Sequence, residues 1–434
     1  MLLAVAGFLM IIVFMALIMT KKLAPMIALM IIPILFALFL GFGPGIGKMA
    51  MAGVKQVAPT GVMLFFAIIY FSLMLEAGLF APLVKKVLVW VKGDPVKICV
   101  GTAILATAVS FDGDGSTTYL ITTAALYTIH RKVGIKPVIL PAIVILCNSV
   151  MNILPWGGPT ARVLAALHLE LGEVFTPMIP GMVVGALYIW AISYYLGKKE
   201  RARLGTVVLD EAQIIAQYES SITEEEKATA RPKLIWFNLI LTVVLFVTLI
   251  ADILPSAIIF MVGTALALMV NYPKSKEQSA RLSSSGANAV PVVGMVFAAG
   301  IFTGIMSGTK MIDVMAQAIV SAIPASMGPH MGFISAFLSL PGVFFLTNDA
   351  YYFGVLPVLN QAAGTYGVPA AMMGIASLIG QGAHLLSPLV PSTYLLVGLN
   401  KIEFGDLQRY ALLPAIGLSI CMLIVALILG IVVV

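Results

Sequence analysis

The sequence contains very little charge for its length. Charged residues make up 10% of the 434 positions, whereas soluble proteins average about 25%. A chain with so few charges cannot cover itself with a water-facing surface, and this excludes a soluble catalytic domain. The net charge of +6 does not indicate nucleic-acid binding, because the basic residues follow the membrane topology described below.

Cysteine is equally scarce. Cys99, Cys147 and Cys421 lie far apart, each inside an apolar run. Three isolated cysteines provide neither a disulfide framework nor the paired spacing of a metal site. We expect no cofactor and no dedicated metal ion. The N-terminus lacks a basic region and a small-residue cleavage site, and we expect it to be a retained first span rather than a signal peptide.

Apolar residues, in contrast, make up 61% of the chain. Runs of about 20 such residues are long enough to cross the ~30 Å hydrocarbon core of a bilayer. They predict an all-α, multi-pass membrane protein with five full spans in each half. These spans are 1–20, 24–43, 59–80, 137–166 and 174–196, and then 234–252, 254–271, 289–308, 369–398 and 411–433.

The two halves of the chain repeat each other. Matching residues recur 230 to 232 positions apart, and the polar sequence around Asp114 recurs around Asn348. The other matches are Pro25 with Pro255, Pro59 with Pro291, Met63 with Met295, Phe65 with Phe297, Met74 with Met306, and Pro159 with Pro391. We therefore predict two repeats, 1–196 and 234–434, joined by the linker 197–233.

Each half also contains two shorter apolar pieces on either side of a polar tip. They are 97–110 with 116–129 in the first half and 331–346 with 350–363 in the second. Such pieces predict hairpins that enter the membrane and leave it on the same side. Five crossings per half remain, and this odd number makes the second repeat start on the opposite face. The repeats are therefore predicted to be inverted.

The basic residues give the orientation. With the N-terminus outside, 21 of the 25 Lys and Arg residues fall on inside segments, a bias of the kind that sets membrane topology. We expect both termini outside and the linker 197–233 in the cytoplasm. A solvated linker is expected, with a short amphipathic helix in its YESSITEEEKATARPK stretch as the alternative.

The two hairpin tips carry the chemistry that membranes otherwise exclude. An ionised carboxylate at mid-bilayer costs roughly 2.5–3.5 kcal/mol, so these groups require a partner or a cavity. The hydroxyl residues of the first tip can also cap the following helix, whose first N–H groups then face an anion. The candidate binding residues are Asp112, Asp114, Gly115, Ser116 and Thr117 in the first tip, and Thr347, Asn348 and Asp349 in the second.

The fourth span of each half is interrupted by a pair of prolines with glycine or serine between them. Such a segment cannot stay helical, and breaks of this kind are tolerated where they line a cavity. The candidate residues are Asn152, Gly157, Gly158 and Thr160 in the first half, and Ser387 and Ser392 in the second. Two tips and two broken spans predict one symmetric pocket at the membrane midplane, the layout of a secondary transporter.

Three ionisable residues near these elements have more than one interpretation. Arg162 either pairs with a carboxylate of the substrate or lies at the outer interface. His384 either carries a proton, donates a hydrogen bond or has a structural role. Glu76, at the end of the third span, is expected at the membrane interface.

Three motifs, FDGDGSTTY, NILPWGGPT and NDAYYFGVLPVLNQ, closely resemble those of the citrate–metal:proton symporter family (CitMHS). The resemblance extends over essentially the whole chain through GFLMIIVFMALIMTKKL, VKGDP and GKKERARLG, and more distantly to the divalent anion:sodium symporters. It implies proton-driven import of citrate, complexed with Mg²⁺ or Ca²⁺, across the plasma membrane. It also implies a homodimer that works by an elevator motion.

The tips depart from the Ser-Asn-Thr pattern of that wider superfamily. Their carboxylates fit contact with the metal of the complex, through Asp112, Asp114 or Asp349, or proton binding by these residues or His384. A cation:proton antiporter, or a carrier of another anion on the same fold, is the alternative function. An intramembrane hydrolase would need a paired nucleophile and base, which the sequence does not provide, and a channel would not need the hairpins and broken spans.

Overall fold

The computed structural model describes residues 2–113, 115–207, 215, 218–220, 222–251 and 253–433. Over these residues every regular element is a helix, as expected where each backbone polar group must find its partner inside the membrane. Eight of the described helices are long and apolar enough to cross a bilayer. The prediction of an all-α membrane protein is confirmed.

The first half contains nine α-helices in its described residues. They are α1 (Leu2–Met19), α2 (Pro25–Phe39), α3 (Ile46–Glu76), α4 (Ala81–Val91), α5 (Pro95–Val109), α6 (Gly115–Val133), α7 (Ile139–Met151), α8 (Gly158–Leu167) and α9 (Leu171–Leu204). Helices α5 and α6 form the predicted hairpin, and α7 and α8 are the two pieces of the predicted broken span.

The second half repeats this order after the short linker helix α10 (Glu224–Thr229). Its helices are α11 (Ile235–Ile250), α12 (Ser256–Asn271), α13 (Ser275–Gly308), α14 (Met311–Ala322), α15 (Met331–Phe345), α16 (Leu356–Gly364), α17 (Ala370–Ile379), α18 (Gln381–His384), α19 (Pro391–Asn400) and α20 (Phe404–Ile428). A π-helical turn, Ala350–Val355, precedes α16. The hairpin is α15 with α16, and the broken span is α17 to α19.

Three helices extend well beyond the apolar runs that predicted them. Helices α3 and α13 begin at Ile46 and Ser275 rather than at 59 and 289, and α9 continues to Leu204 rather than ending at 196. Each added segment contains Ala and Lys together with Gln, Met, Glu or Arg, all of which have good helix propensity. Hydropathy marks the part of a helix that lies in lipid, whereas propensity decides where the helix ends.

The linker is also more structured than expected. Thr223 and Glu226 form a capping box: the Glu226 N–H donates to the Thr223 hydroxyl at 3.2 Å, and the Thr223 N–H donates to Glu226 Oε2 at 2.7 Å. This arrangement starts α10, because it satisfies N–H groups that a helix start leaves without a partner. For this stretch the alternative, a short helix, is the one that forms.

Both ends of the first hairpin lie beside the C-terminal end of α9. Arg201 forms an ion pair with Asp94, just before α5, and Arg203 Nη2 donates to the Gly134 carbonyl, just after α6, at 2.8 Å. Burial raises the pKa of Asp94, but the Arg201 contact and the Val96 N–H outweigh it and leave this pKa below its usual value. The hairpin therefore enters and leaves on one side.

The ends of the second hairpin lie together at the opposite end of α9. A Cβ on Gly328, just before α15, would be 2.1 Å from the ring of Tyr366, just after α16. Leu167, which precedes α9, packs on the small apolar cluster around Met331 and Val368 at these hairpin ends. Helix α9 has 34 residues and is thus about 50 Å long, so the two hairpins start from opposite sides.

Helices α3 and α13 cross each other, and glycines allow their backbones to touch. A Cβ on Gly53 would lie 1.9 Å from the Gly300 carbonyl oxygen, and one on Gly304 would lie 2.4 Å from the Met49 carbonyl oxygen. A larger residue at any of these glycines would separate the helices. This crossing holds one wall of the cavity described next.

Candidate functional site

A cavity of about 840 Å³ lies between the α3–α13 pair and the first hairpin tip. One wall contains Ile68, Ser72, Leu75 and Glu76 of α3 and Ala287, Asn288, Pro291, Val292, Met295 and Val296 of α13. The other wall includes Asp112, Gly113, Gly115, Ser116, Thr117, Asn148, Asn152, Trp156, Gly158, Arg162 and Ser392. The cavity thus brings together the first tip and both broken spans.

The first tip is fixed against the broken span by Trp156. Its indole Nε1 donates to the Phe111 carbonyl at 2.8 Å, and its ring stacks on Phe71 with centroids 4.2 Å apart. Gly113 has a φ of +79°, and a Cβ there would be 2.6 Å from Trp156 Cδ1. Both requirements favour glycine. Asp112 is thereby held at the cavity, while Asp114 lies outside the described residues.

The breaks in the two spans are held by the same kind of hydrogen bond. The Thr160 hydroxyl donates to the Ile153 carbonyl at 2.7 Å across the first break, and the Thr393 hydroxyl donates to the Leu385 carbonyl across the second. Helices α8 and α19 start beside Gly158 and Ser392. Their first N–H groups have no partner within the helix, and helix starts of this kind attract anions.

A second contact also recurs in both halves. Asn148 Nδ2 donates to the Tyr119 hydroxyl at 3.2 Å, and Gln381 Nε2 donates to the Tyr352 hydroxyl at 2.7 Å. The two pairs are 233 positions apart in the chain. Sequence reasoning did not include either tyrosine, although the equal spacing of 29 residues between partners was a signal that could have found them.

The half-sites differ at the position next to this amide. In the second half, Asn348 Oδ1 accepts from Gln381 Nε2 at 3.1 Å. The tip motifs pair Asn348 with Asp114, but the offset of 233 positions that relates the two amide–tyrosine pairs places Gly115 against Asn348. A Cβ on Gly115 would lie 2.8 Å from Asn148 Nδ2 and 3.5 Å from Ser392 Oγ. The amide oxygens do not differ: within the described part of the chain, the buried Asn148 Oδ1 and Gln381 Oε1 both lack a hydrogen-bond partner. The amide nitrogens differ, since Gln381 Nε2 has Asn348 Oδ1 as a second acceptor. The first half-site therefore leaves its amide facing the cavity, whereas the second fills the same place with its own side chain.

An ion pair connects the broken span of the first half to the tip of the second. Arg162 Nε donates to Asp349 Oδ1 at 2.7 Å, and Arg162 Nη1 donates to the Gly158 carbonyl at 2.8 Å. The side chains are 20% and 12% exposed, respectively. Arg162 also lines the cavity, and the carboxylate that it contacts in this structure is that of Asp349.

The remaining predicted residues make contacts within the protein. The His384 ring is buried with its Nδ1 2.7 Å from the Val343 carbonyl, which connects the second broken span to its hairpin. The Thr347 hydroxyl accepts from the Ala350 N–H at 3.2 Å, and the Ser387 hydroxyl accepts from the Leu389 N–H at 3.2 Å. Gly157 precedes α8, and a Cβ there would be 2.0 Å from the Asn152 carbonyl oxygen.

Glu76 occupies the end of the cavity nearest the linker. It accepts from Arg281 Nη1 at 3.1 Å and lines the cavity, and the neighbouring Ala77 carbonyl accepts from the linker residue Arg231. The cavity therefore extends from the first tip towards the linker side. The contact of Glu76 with Arg281 was not predicted from the sequence, because 205 residues separate the two.

The site offers groups of both signs. Arg162 and the helix starts suit carboxylates, whereas Asp112 and Asp349 suit a hard cation. In the described residues no group of three or more His, Cys, Asp or Glu side chains could hold a metal ion. The arrangement is suited to a small ligand that carries oxygen anions and a cation together.

Residues 14–380 match the family model of CitMHS, described as citrate transporter. The chain belongs to the CitMHS family. A citrate transporter of Bacillus subtilis (strain 168) is 54% identical over 99% of both chains. A Mg(2+)/citrate complex secondary transporter of the same organism is 47% identical over 99% of this chain and 98% of its own.

Two solved transporter structures share the fold of this CitMHS chain. The YdaH transporter of Alcanivorax borkumensis has a TM-score of 0.52 at 13% identity, covering 88% of this chain and 87% of its own. MtrF of Neisseria gonorrhoeae has a TM-score of 0.55 at 14% identity, covering 89% and 84%. The family predicted from the tip motifs is confirmed, and the CitMHS chain is a citrate-transporter homologue rather than an enzyme.

Proposed function

We propose that this CitMHS protein imports citrate as a complex with a divalent cation, coupled to protons. The observation that carries the proposal is the cavity in which the anion-binding groups Arg162 and the starts of α6 and α8 lie with the carboxylate of Asp112. A 1:1 complex of citrate with Mg²⁺ carries a charge of roughly −1, and its metal takes oxygen ligands. The name of the relative that transports a Mg(2+)/citrate complex supports this choice of substrate.

The predicted residues that line the cavity are the proposed direct contacts with the substrate. They are Asp112, Gly115, Ser116, Thr117, Asn152, Gly158 and Ser392, with Asp114 beside them in sequence. The other predicted residues hold the surrounding backbone or lie behind Arg162. They are Gly157, Thr160, Thr347, Asn348, Asp349 and Ser387. Protons are proposed to bind at Asp112, Asp114, Asp349 or His384.

We also propose that 1–196 and 234–434 are inverted repeats around the linker 197–233. The same order of helices in both halves and the recurring amide–tyrosine contacts support a duplication. The two hairpins that start from opposite ends of α9 support the inversion. With the predicted orientation, the linker and the open end of the cavity are cytoplasmic and both termini are outside the plasma membrane.

The proposed transport step is an elevator motion within a homodimer. The cavity separates two parts of the protein: α3 and α13 on one side, and the first tip with both broken spans on the other. A displacement of the second part along α3 and α13 would carry the substrate towards the opposite face. The family resemblance supports both the motion and the dimer.

Uptake by purified protein in proteoliposomes tests the substrate. Radiolabelled citrate should accumulate when Mg²⁺ or Ca²⁺ is present and an inward proton gradient is imposed, and should remain near background with EDTA. Movement of metal or Na⁺ against protons without citrate would favour the antiporter instead. Metal-independent citrate uptake would contradict transport of the complex.

Substitution of the first tip tests the role of its carboxylates. Asp112→Asn and Asp114→Asn should each abolish proton-coupled uptake of the complex while expression is retained, since each removes an anionic ligand for the metal or proton. Asp406→Asn, in an exposed residue of α20, is the control and should transport normally. Uptake at the wild-type rate with an unchanged metal requirement in both tip variants would remove these carboxylates from the mechanism.

A further inference from the structure

We propose that Arg162 and Asp349 form an exchangeable ion pair that makes the transporter select metal-bound citrate over free citrate. This inference rests on the proposed function and assigns a separate part of its specificity. The pair joins the two halves of the chain, with 187 residues between its members and 2.7 Å between Arg162 Nε and Asp349 Oδ1. Both side chains are mostly buried.

Arg162 lies between the cavity and Asp349. Arg162 is among the residues that line the cavity, whereas Asp349 lies behind it and contributes no lining surface. A second guanidinium nitrogen, Nη1, donates to the Gly158 carbonyl at 2.8 Å, and this keeps the group beside the start of α8. Since a guanidinium has five N–H donors, Arg162 can turn towards a carboxylate in the cavity while α8 still holds it.

This rotation of the Arg162 side chain would leave the Asp349 carboxylate without a counter-charge. A buried carboxylate whose partner has left is strongly unfavourable. The neighbouring Asn348 cannot replace that partner, because its side chain is neutral and supplies no counter-charge. Free citrate would bring further negative charge to this place and leave Asp349 unpaired.

A citrate–metal complex does not have this disadvantage. One carboxylate of the complex can form an ion pair with Arg162 while the cation comes close to Asp349. Each member of the original pair then has a new partner of opposite charge. The pair therefore favours a ligand that carries both charges together. Asp349 acts on selectivity, whereas Arg162 acts on affinity for the carboxylates of either form.

The test is equilibrium binding of citrate to purified transporter in detergent, measured once with Mg²⁺ and once with EDTA. Wild type should prefer citrate with Mg²⁺. In Asp349→Asn this preference should fall by about tenfold or more, or roughly 1.4 kcal/mol, mainly because free citrate binds better to the unpaired Arg162. Asp349→Glu should keep the preference. Asp313→Asn is the matched control, since Asp313, in the first turn of α14, pairs with the exposed Lys310 that precedes this helix.

The outcomes separate this inference from the proposed function. An undiminished preference in Asp349→Asn, or an equal loss in Asp313→Asn, would overturn the inference. Wild-type binding without any metal preference would instead contradict the proposed substrate.

A double variant covers the case in which Asp349→Asn does not fold. Arg162→Gln combined with Asp349→Asn removes the pair without leaving a buried charge. It should bind both forms of citrate more weakly and without preference. Unchanged affinity for citrate with Mg²⁺ in this variant would show a purely structural pair and overturn the inference.

Discussion

At the scale of single residues, the two half-sites are unequal because one position carries glycine in the first half and asparagine in the second. Asn348 satisfies Gln381 from within the protein, whereas Gly115 leaves Asn148 facing the cavity. Asn148 Nδ2, the atom nearest Gly115, carries a second N–H besides the one donated to Tyr119, and a carboxylate of a bound ligand is a natural acceptor for it. The space above Gly115 is thus the place where the first half-site can receive substrate.

Gly115→Ala tests whether that space is needed. The new Cβ would lie 2.8 Å from Asn148 Nδ2, closer than such atoms approach without a shift, and would enter the proposed ligand space. We expect citrate uptake to fall by about tenfold or more, equivalent to about 1.4 kcal/mol. Gly364→Ala, where no atom lies within 4 Å of the new Cβ, should transport normally. Equal uptake by both variants would contradict a ligand at Gly115.

Only some of the site residues could be predicted from the sequence. The acidic tips and proline pairs were visible because charge and proline are unusual inside apolar runs. The partner of Arg162 was not predicted, since 187 residues separate it from Asp349 and their contact depends on how the halves pack. Tyr119 and Tyr352 were not predicted as site residues, because tyrosine is not unusual in a membrane helix.

At the scale of elements, the hairpins and breaks were predicted within a few residues, whereas several helix ends were not. Glycine and proline restrict the backbone locally, so the end of α7 near Met151 and the start of α8 at Gly158 follow from the sequence between them. The polar starts of α3 and α13 carry no such signal, because their residues continue a helix as readily as they end it.

The threonine hydrogen bonds across the two breaks are expected to stabilise the broken spans. Thr160→Val and Thr393→Val keep the side-chain shape but leave the Ile153 and Leu385 carbonyls without that donor. Each should lower the free energy of unfolding by about 1–3 kcal/mol, measured by chemical unfolding in detergent. Thr248→Val, which removes a bond to the Val244 carbonyl within α11, is the control. Losses no larger than in this control would mean that the breaks are held by packing alone.

At the scale of the whole molecule, orientation follows from the distribution of basic residues. The linker should be cytoplasmic, since 21 of 25 Lys and Arg residues fall on its side in the predicted topology. Ser220→Cys, at an exposed linker residue, should resist an impermeant thiol reagent in intact cells and react after permeabilisation. Lys48→Cys, exposed near the start of α3, should react in intact cells. The reverse pattern would contradict the topology; Cys99 and Cys147 are buried and add little background.

The direction in which the cavity opens gives the last prediction. Its α3 and α13 walls reach Glu76 and Ala287, close to the linker, so a cysteine at Ala287 should be reached from the cytoplasmic side. In inside-out vesicles, Ala287→Cys should react with an impermeant thiol reagent. Citrate with Mg²⁺ should slow this reaction by about tenfold, because the substrate would fill the cavity or move the tip away. Ser220→Cys in the same vesicles should react at a rate that citrate does not change. Labelling of Ala287→Cys only in right-side-out vesicles would mean that the cavity opens to the outside. Labelling that citrate with Mg²⁺ does not slow would mean that the cavity is not part of the transport path.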